Sequence, residues 1–370
     1  MVTIGYDLLG RKTSMDDLDK GIWGYNYNAY GELENQTNAN LEYTENLYDE
    51  LGRLYQRIDR QTATGSIINK SYWYYDGALP NGGTTSNAIG QVSAIVHSTG
   101  SSITCNNSQT AVCQTFTYDN LGRPDTETKT LGASGNHGTY VSQVYYDSIG
   151  RILSTFDAFS DYANTGIYHH YNQYGYPLGI SDIGTSGDDN YEGIYRVDSM
   201  NARGQVTEST RGNSVTTDYD YNPETGIIES QIAENGGAYP IQQIEYTWDD
   251  IGNLATRSNY SGRSANGYTN AALEESFCYD DLNRLTLVEN GLSRSSSGTA
   301  PLQFNSIGNI MYKEGVGNYT YSEVNAGPHA VTRTSSGNID YYYDDNGNLT
   351  SDDEGRSISY TVFDKPYYIS

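Results

Sequence analysis

The sequence predicts an all-β fold, an array of β-hairpins, on three observations. A short motif, aromatic-Asp/Asn-x-x-Gly, returns from one end of the chain to the other. The 370 residues include 37 Tyr and 40 Gly but only 8 Pro and 6 Phe, a bias toward strands and turns. Segments beside the motif alternate apolar and polar residues with a period of two, and no 3.6-residue period accompanies them.

The copies run in order along the chain. Tyr6-Asp7-Leu8-Leu9-Gly10 is followed by Tyr27-Asn28 to Gly31, Tyr48-Asp49 to Gly52 and Tyr118-Asp119 to Gly122. Tyr146-Asp147 to Gly150, Tyr171-Asn172 to Gly175, Trp248-Asp249 to Gly252, Phe304-Asn305 to Gly308 and Tyr343-Asp344 to Gly347 complete the clear set. Each reads as a hairpin turn. Asp or Asn accepts a hydrogen bond from a backbone N–H two residues on, and Gly takes the left-handed conformation that returns the chain to a strand. Four degenerate copies fit the same logic. Tyr279-Asp280-Asp281-Leu282-Asn283 replaces Gly by Asn, the next residue best able to adopt positive φ. Tyr221-Asn222-Pro223 to Gly226 is one residue longer, with Pro where a type I turn accepts it. Ser86 to Gly90 and Met200 to Gly204 keep the polar and Gly positions and lack the aromatic.

The strands entering these turns alternate, as in Trp23, Tyr25 and Tyr27, or Ile244, Tyr246 and Trp248. The motif aromatic is thus expected in a Tyr-rich layer stacked across strands. Most turns lie 21 to 32 residues apart, room for two strands and a second, more variable turn. Residues 77–85, 97–110, 184–193, 259–272, 291–300 and 315–337 are polar insertions, expected to be exposed and mobile. The whole of 1–370 reads as one continuous repeat array.

Composition narrows the function classes. The net charge of −25 repels nucleic acid and anionic membrane surfaces. There is no signal peptide and no apolar run long enough to span a bilayer. The chain begins inside a repeat at Met1 and stops abruptly at Ser370, which reads as a fragment of something longer or a late-starting reading frame. Cys105 and Cys113 flank a polar loop that a local disulfide between them would close, and Cys278, beside Phe277 and Tyr279, reads as a buried free thiol.

No residue set points to catalysis, a metal or a cofactor. His169 and His170 are adjacent on a strand and point to opposite faces, and His97, His137 and His329 stand alone. Asp344-Asp345-Asn346-Gly347-Asn348, with Asp352 to Glu354, has the oxygen content of a calcium loop, as has Gly187 to Asn190. Neither keeps EF-hand spacing, and the repeated turn accounts for the first. The Tyr stripes could stack on sugars, but cross-strand packing explains them without a ligand. The Arg residues after the turn Gly are placed to pair with neighbouring turn carboxylates.

Tyr-Asp-x-x-Gly-Arg followed by an apolar residue resembles the YD repeat of the Rhs family. Tyr48, Asp49, Gly52, Arg53 and Leu54 match it fully. Tyr6 to Arg11, Tyr118 to Arg123 and Tyr146 to Arg151 match through the Arg, and Gly5 to Met15 is similar to bacterial wall-associated Rhs proteins. The resemblance covers essentially the whole chain. It implies a sheet of hairpins spiralling into part of a hollow shell, as in insecticidal toxin complex B/C components and teneurins. It further implies a secreted or cell-surface protein whose partners are the rest of the Rhs polypeptide and a C-terminal effector. The family's shell-closing core and self-cleavage site are not visible before Ser370. Cell-surface glycans are the partner under the alternative reading, an adhesion module.

Overall fold

A computed structural model describes residues 2–98, 111–132, 138–158, 166–182, 193–237, 239–260, 273–290, 302–323 and 326–370. These contain thirty β-strands and no helix, so no helix is long and apolar enough to cross a membrane. Twenty-two strands, from Thr3–Tyr6 to Leu285–Asn290, belong to one sheet. Six more, from Leu302–Phe304 to Leu349–Asp352, form a second, and Ile358–Tyr360 pairs with Pro366–Ile369.

The pairing is antiparallel between strands consecutive in sequence. Thr3–Tyr6 pairs with Lys12–Asp17, which pairs with Gly21–Tyr27, which pairs with Leu33–Thr37. Turns therefore fall alternately at the two ends of the strands. The Tyr-Asp turns occupy one rim, and the connections between them occupy the opposite rim. Two compact units result: Met1–Gln143 with Asn305–Ser370, and Val144–Phe304.

The Tyr-Asp hairpins at Tyr48 and at seven other motif aromatics carry a bulge at the same place. Tyr48 faces Leu54, but Leu47 faces Gln56, so Tyr55 is left unpaired on the outgoing strand. The same shift precedes Tyr6, Tyr27, Tyr118, Tyr171, Trp248, Tyr279 and Tyr343. A bulge next to a turn sharpens the local twist and re-aims the side chains beside it.

Burial is modest and mixed. Among the described residues the buried set holds nine hydrophobic side chains and fifteen polar or charged ones, so no single apolar core carries the fold. Among the described residues a compact apolar cluster joins Val96 with Cys113, covered by Tyr72 and Tyr74. Stability rests on sheet hydrogen bonds and on contacts between neighbouring hairpins.

Three expectations need correction or completion. Cys278 is free but exposed, because the two-residue period turns it away from the half-buried Phe277 and Tyr279. The turn ending at Gly90 has not lost its aromatic. Tyr75-Asp76 supplies it, with a long insertion inside the turn, since Asp76 Oδ1 accepts the Gly90 N–H at 2.7 Å and Tyr75 faces Val92. The ring pairs Trp23–Tyr25 and Tyr246–Trp248 run along single strands; across strands the motif aromatic meets an arginine and a carbonyl instead. Cys105, His137 and 187–190 lie outside the described residues, as do most of the polar insertions.

Candidate functional site

The turn at Asp49 shows how the motif works. Asp49 Oδ1 accepts the N–H groups of Leu51 and Arg53, both at 2.9 Å, and Asp49 Oδ2 accepts Arg53 Nε at 2.7 Å. The Gly52 N–H closes the turn onto Asp49 O at 3.0 Å, with Gly52 at φ 75°. Asp7, Asp119, Asp147 and Asp280 repeat the arrangement with Arg11, Arg123, Arg151 and Arg284. Asp249 and Asp344 do so with Asn253 and Asn348, whose side-chain amides replace the guanidinium. Gly10, Gly122, Gly150, Gly252 and Gly347 lie between φ 74° and 92°, and Asn283 takes the same region at 58°.

These bonds hold the carboxylates ionised. The Arg53 backbone N–H lowers the Asp49 pKa most; desolvation opposes it and the Arg53 side chain adds to the lowering. Asp7 and Asp280 are lowered for the same reasons.

The motif also joins one hairpin to the next. The Tyr48 hydroxyl donates to the carbonyl of Leu33, two residues past the preceding turn glycine, at 2.9 Å. Tyr27 does so to Lys12, Tyr75 to Leu54, Tyr118 to Val92, Tyr171 to Ile152, Tyr279 to Leu254 and Tyr343 to Val331, at 2.6–3.0 Å. Trp248 makes the same bond through its indole N–H, to Ile228 at 2.7 Å. Burial pushes the Tyr48, Tyr118 and Tyr343 phenols up in pKa, so they remain donors. In the other direction, Arg53 lies 4.4 Å from the centre of the next motif ring, Tyr75, and reaches the next turn carboxylate, Asp76, at 2.8 Å. Arg11 stacks likewise on Tyr27, Arg151 on Tyr171 and Arg284 on Phe304. At Tyr27, Tyr75 and Tyr171 the junction is a two-pronged clamp, a hydroxyl donated backward and a cation laid forward; elsewhere one prong is seen.

Sequence reasoning placed the turn residues and the pairing of Arg53 with a neighbouring turn carboxylate, but missed the tyrosine-to-carbonyl bond and the stacking of Arg on the next ring. The trace of that bond was the excess of Tyr over Phe, together with a Trp, the one other aromatic with a donor N–H, at a motif position. Tyr360-Thr361 to Asp364 is a further turn of the same kind, with Asp364 at φ 54° and Tyr360 bonded to Leu349 O. Its Thr and Asp disguised it. Asp352 likewise forms a Tyr-less turn with Arg356 on the opposite rim, so the acids after Gly347 serve turns. Among the described residues no group of three or more His, Cys, Asp or Glu is arranged to hold a metal ion.

His97, His169 and His170 each meet a hydroxyl, on Ser71, Thr155 and Ser181 respectively. Asp59 is fully buried; its Oδ1 accepts Thr44 and Arg57, and its Oδ2 has no partner among the described residues. Ser71 is 2% exposed, which leaves its hydroxyl no open approach.

Within the first unit, late residues lie against early ones. His329 Nδ1 meets Asp19 Oδ2 at 2.6 Å, and the His329 N–H donates to Asp19 Oδ1 at 2.9 Å. The Asn40 N–H donates to Asn346 Oδ1 at 3.2 Å and its side-chain amide to Asp344 at 3.1 Å. Arg57 covers the Phe363 ring at 4.3 Å. A cleft of about 590 Å³ beside this seam is lined by Leu18, Ile22, Leu41 and Tyr343 with Asp19 and Asp345. The first unit thus contains a seam where one Tyr-Asp turn seats on opposite-rim turns some 300 residues earlier in the chain.

The chain is similar over its full length to crystal structures of TcdB2-TccC3, at 15% identity and a TM-score of 0.69. The fold is shared. A TcdB2-TccC3 structure without the hypervariable C-terminal region matches at 18% identity and 0.61 over 99% of the chain. The Photorhabdus luminescens Tc holotoxin pore with a TccC3 mutation matches at 16% and 0.57 over the whole chain. The chain spans only 17–20% of the length of those chains. No family model and no curated protein matches it. The likeness to toxin-complex B/C components expected from the YD motifs therefore holds at the level of fold.

Proposed function

We propose that this chain is a structural wall segment of a secreted or cell-surface Rhs-type protein, with residues 1–370 acting as one continuous array. Its partners are the remainder of that polypeptide and a C-terminal effector that the wall encloses; it performs no catalysis. The clamp carries this reading. The same donor and the same acceptor position recur at junction after junction, which suits an element that extends a surface rather than one that concentrates chemistry in one place. One of the similar structures is described by its missing hypervariable C-terminal region, and that fits a wall built around replaceable contents.

The test compares junctions. Tyr48→Phe and Tyr171→Phe should each lower stability by a similar small amount, and a glycan array should show no saturable binding. Saturable glycan binding that a single substitution abolishes would replace this reading with the adhesion one.

A further inference from the structure

Tyr6 stands apart from the other motif aromatics. It is 61% exposed, whereas Tyr27, Tyr48, Tyr75, Tyr118 and Tyr171 are partly or fully buried. Those five hydroxyls each donate to a carbonyl of the preceding hairpin. Among the described residues the Tyr6 hydroxyl has no such acceptor, and no arginine lies on its ring. Its strand, Thr3–Tyr6, pairs on one side only, with Lys12–Asp17. The outer side is an open edge of backbone N–H and C=O groups, flanked by the exposed Ile4 and Tyr6 on one face.

The inner junctions specify what fits there. At each, the residue four past a turn glycine pairs with the residue three before the next motif aromatic. Ser14 meets Gly24, Asn35 meets Glu45, Gln56 meets Tyr72, and Thr256 meets Ser276. The arginine just after the glycine reaches forward, as Arg53 does to the Tyr75 ring and the Asp76 carboxylate. At Thr3–Tyr6 the same register sets Thr3 opposite the residue four past a glycine, with Tyr6 and Asp7 left to receive the arginine. Charge agrees. The chain carries −25, while an outgoing strand such as Gly52 to Arg60 holds three Arg and one Asp.

We infer that Thr3–Tyr6 is a docking edge for one arginine-bearing antiparallel strand, the outgoing arm of a further Tyr-Asp hairpin. Its main chain pairs with the edge, one of its carbonyls accepts the Tyr6 hydroxyl, and its arginine lies on the Tyr6 ring beside Asp7. The inference rests on the wall reading for the source of that strand, the remainder of the polypeptide, and adds where and through which groups that partner attaches.

A labelled synthetic peptide copying Gly52 to Arg60, titrated with the whole chain and read by fluorescence anisotropy, tests it. The expected result is saturable binding that weakens with salt, since the arginines face a chain of opposite charge. Tyr6→Phe should weaken it about fivefold, the worth of one hydrogen bond, and Arg53→Gln in the peptide should do the same. Tyr239→Phe, at an exposed tyrosine outside the motif, should change nothing. In the chain alone Tyr6→Phe should leave the urea midpoint where it was, because its hydroxyl holds no partner there. On a C278S background, T3C should form a disulfide with a peptide carrying Gln56→Cys. Absence of saturable binding at low salt overturns the inference, as does binding that Tyr6→Phe leaves intact. A T3C chain that cross-links to itself in place of the peptide assigns the edge to a second copy and overturns it too. None of these failures touches the comparison of Tyr48→Phe with Tyr171→Phe, which tests the wall reading separately.

Discussion

The two rims of the sheet are built from the same strands and differ in nearly everything else. On the Tyr-Asp rim, turns at Asp7, Asp49, Asp119, Asp147 and Asp280 share an acceptor, a cation and a left-handed fourth residue. On the opposite rim, Asp17–Lys20, Asn38–Leu41, Gln61–Ser66 and Arg211–Ser214 share no sequence, and Leu41 even takes φ 65°. Sequence is uniform where a turn must also reach the neighbouring hairpin and free where it only reverses the chain. Among the described residues the opposite rim keeps the acceptor bonding of the Tyr-Asp turns at Asn38, beside the Asn40 that the seam uses, and at Asp352 with Arg356.

The largest test of that difference is acid. The Tyr-Asp carboxylates have lowered folded-state pKa values, chiefly from backbone N–H and Arg donors. Their stabilisation is present above the unfolded value of about 4 and is lost as pH falls through the folded values. Urea midpoints should therefore fall steeply below about pH 4. A midpoint that stays flat from there to pH 3 would break the comparison. A smaller step comes earlier. Burial lowers the His97 pKa, so the unfolded chain takes up its proton first, and stability begins to decline below about pH 6.5. Burial lowers His169 as well, so His97→Gln should shrink that step and His97→Gln with His169→Gln should remove it.

Next in size is a pair of glycines with similar backbones and different surroundings. At Gly347 a Cβ would stand 2.2 Å from the Asp19 carbonyl, whereas at Gly252 it would meet nothing within 4 Å. Gly252→Ala should cost only the left-handed strain, about 1–2 kcal/mol. Gly347→Ala should cost about 3 kcal/mol or more, because backbone must also move. Chemical denaturation reads both, and equal losses would mean that the seam contributes nothing. Smaller still, Tyr48→Phe should cost about 1 kcal/mol for its lost bond to Leu33. Trp248→Phe should behave alike. The smallest effect belongs to the opposite rim, where Ser336→Ala should stay within about 0.5 kcal/mol.

The Tyr-Asp rim was legible because its turn chemistry demands particular side chains at fixed spacing. Asn283 in place of glycine was readable for that reason, and its φ of 58° follows from it. Tyr75 was not, because the insertion before Gly90 separates aromatic from glycine and destroys the spacing. The clamp escaped because its acceptor is a main-chain carbonyl, which leaves no mark on residue choice. The seam escaped too. It is made by Asp19, Asn40, Asn346 and His329, polar residues that any exposed turn would hold equally well.

A tyrosine that binds its neighbour through a carbonyl recognises something no mutation of that neighbour can remove. Lys12, Leu33, Leu54, Val92 and Ile228 differ in size and one carries a charge, yet each serves as acceptor through its main chain. These positions can be exchanged without breaking the joint, whereas loss of the donor breaks it. That is a physical route to one strand architecture surviving at 15% identity: the lock is written in side chains, the keyhole in peptide bonds.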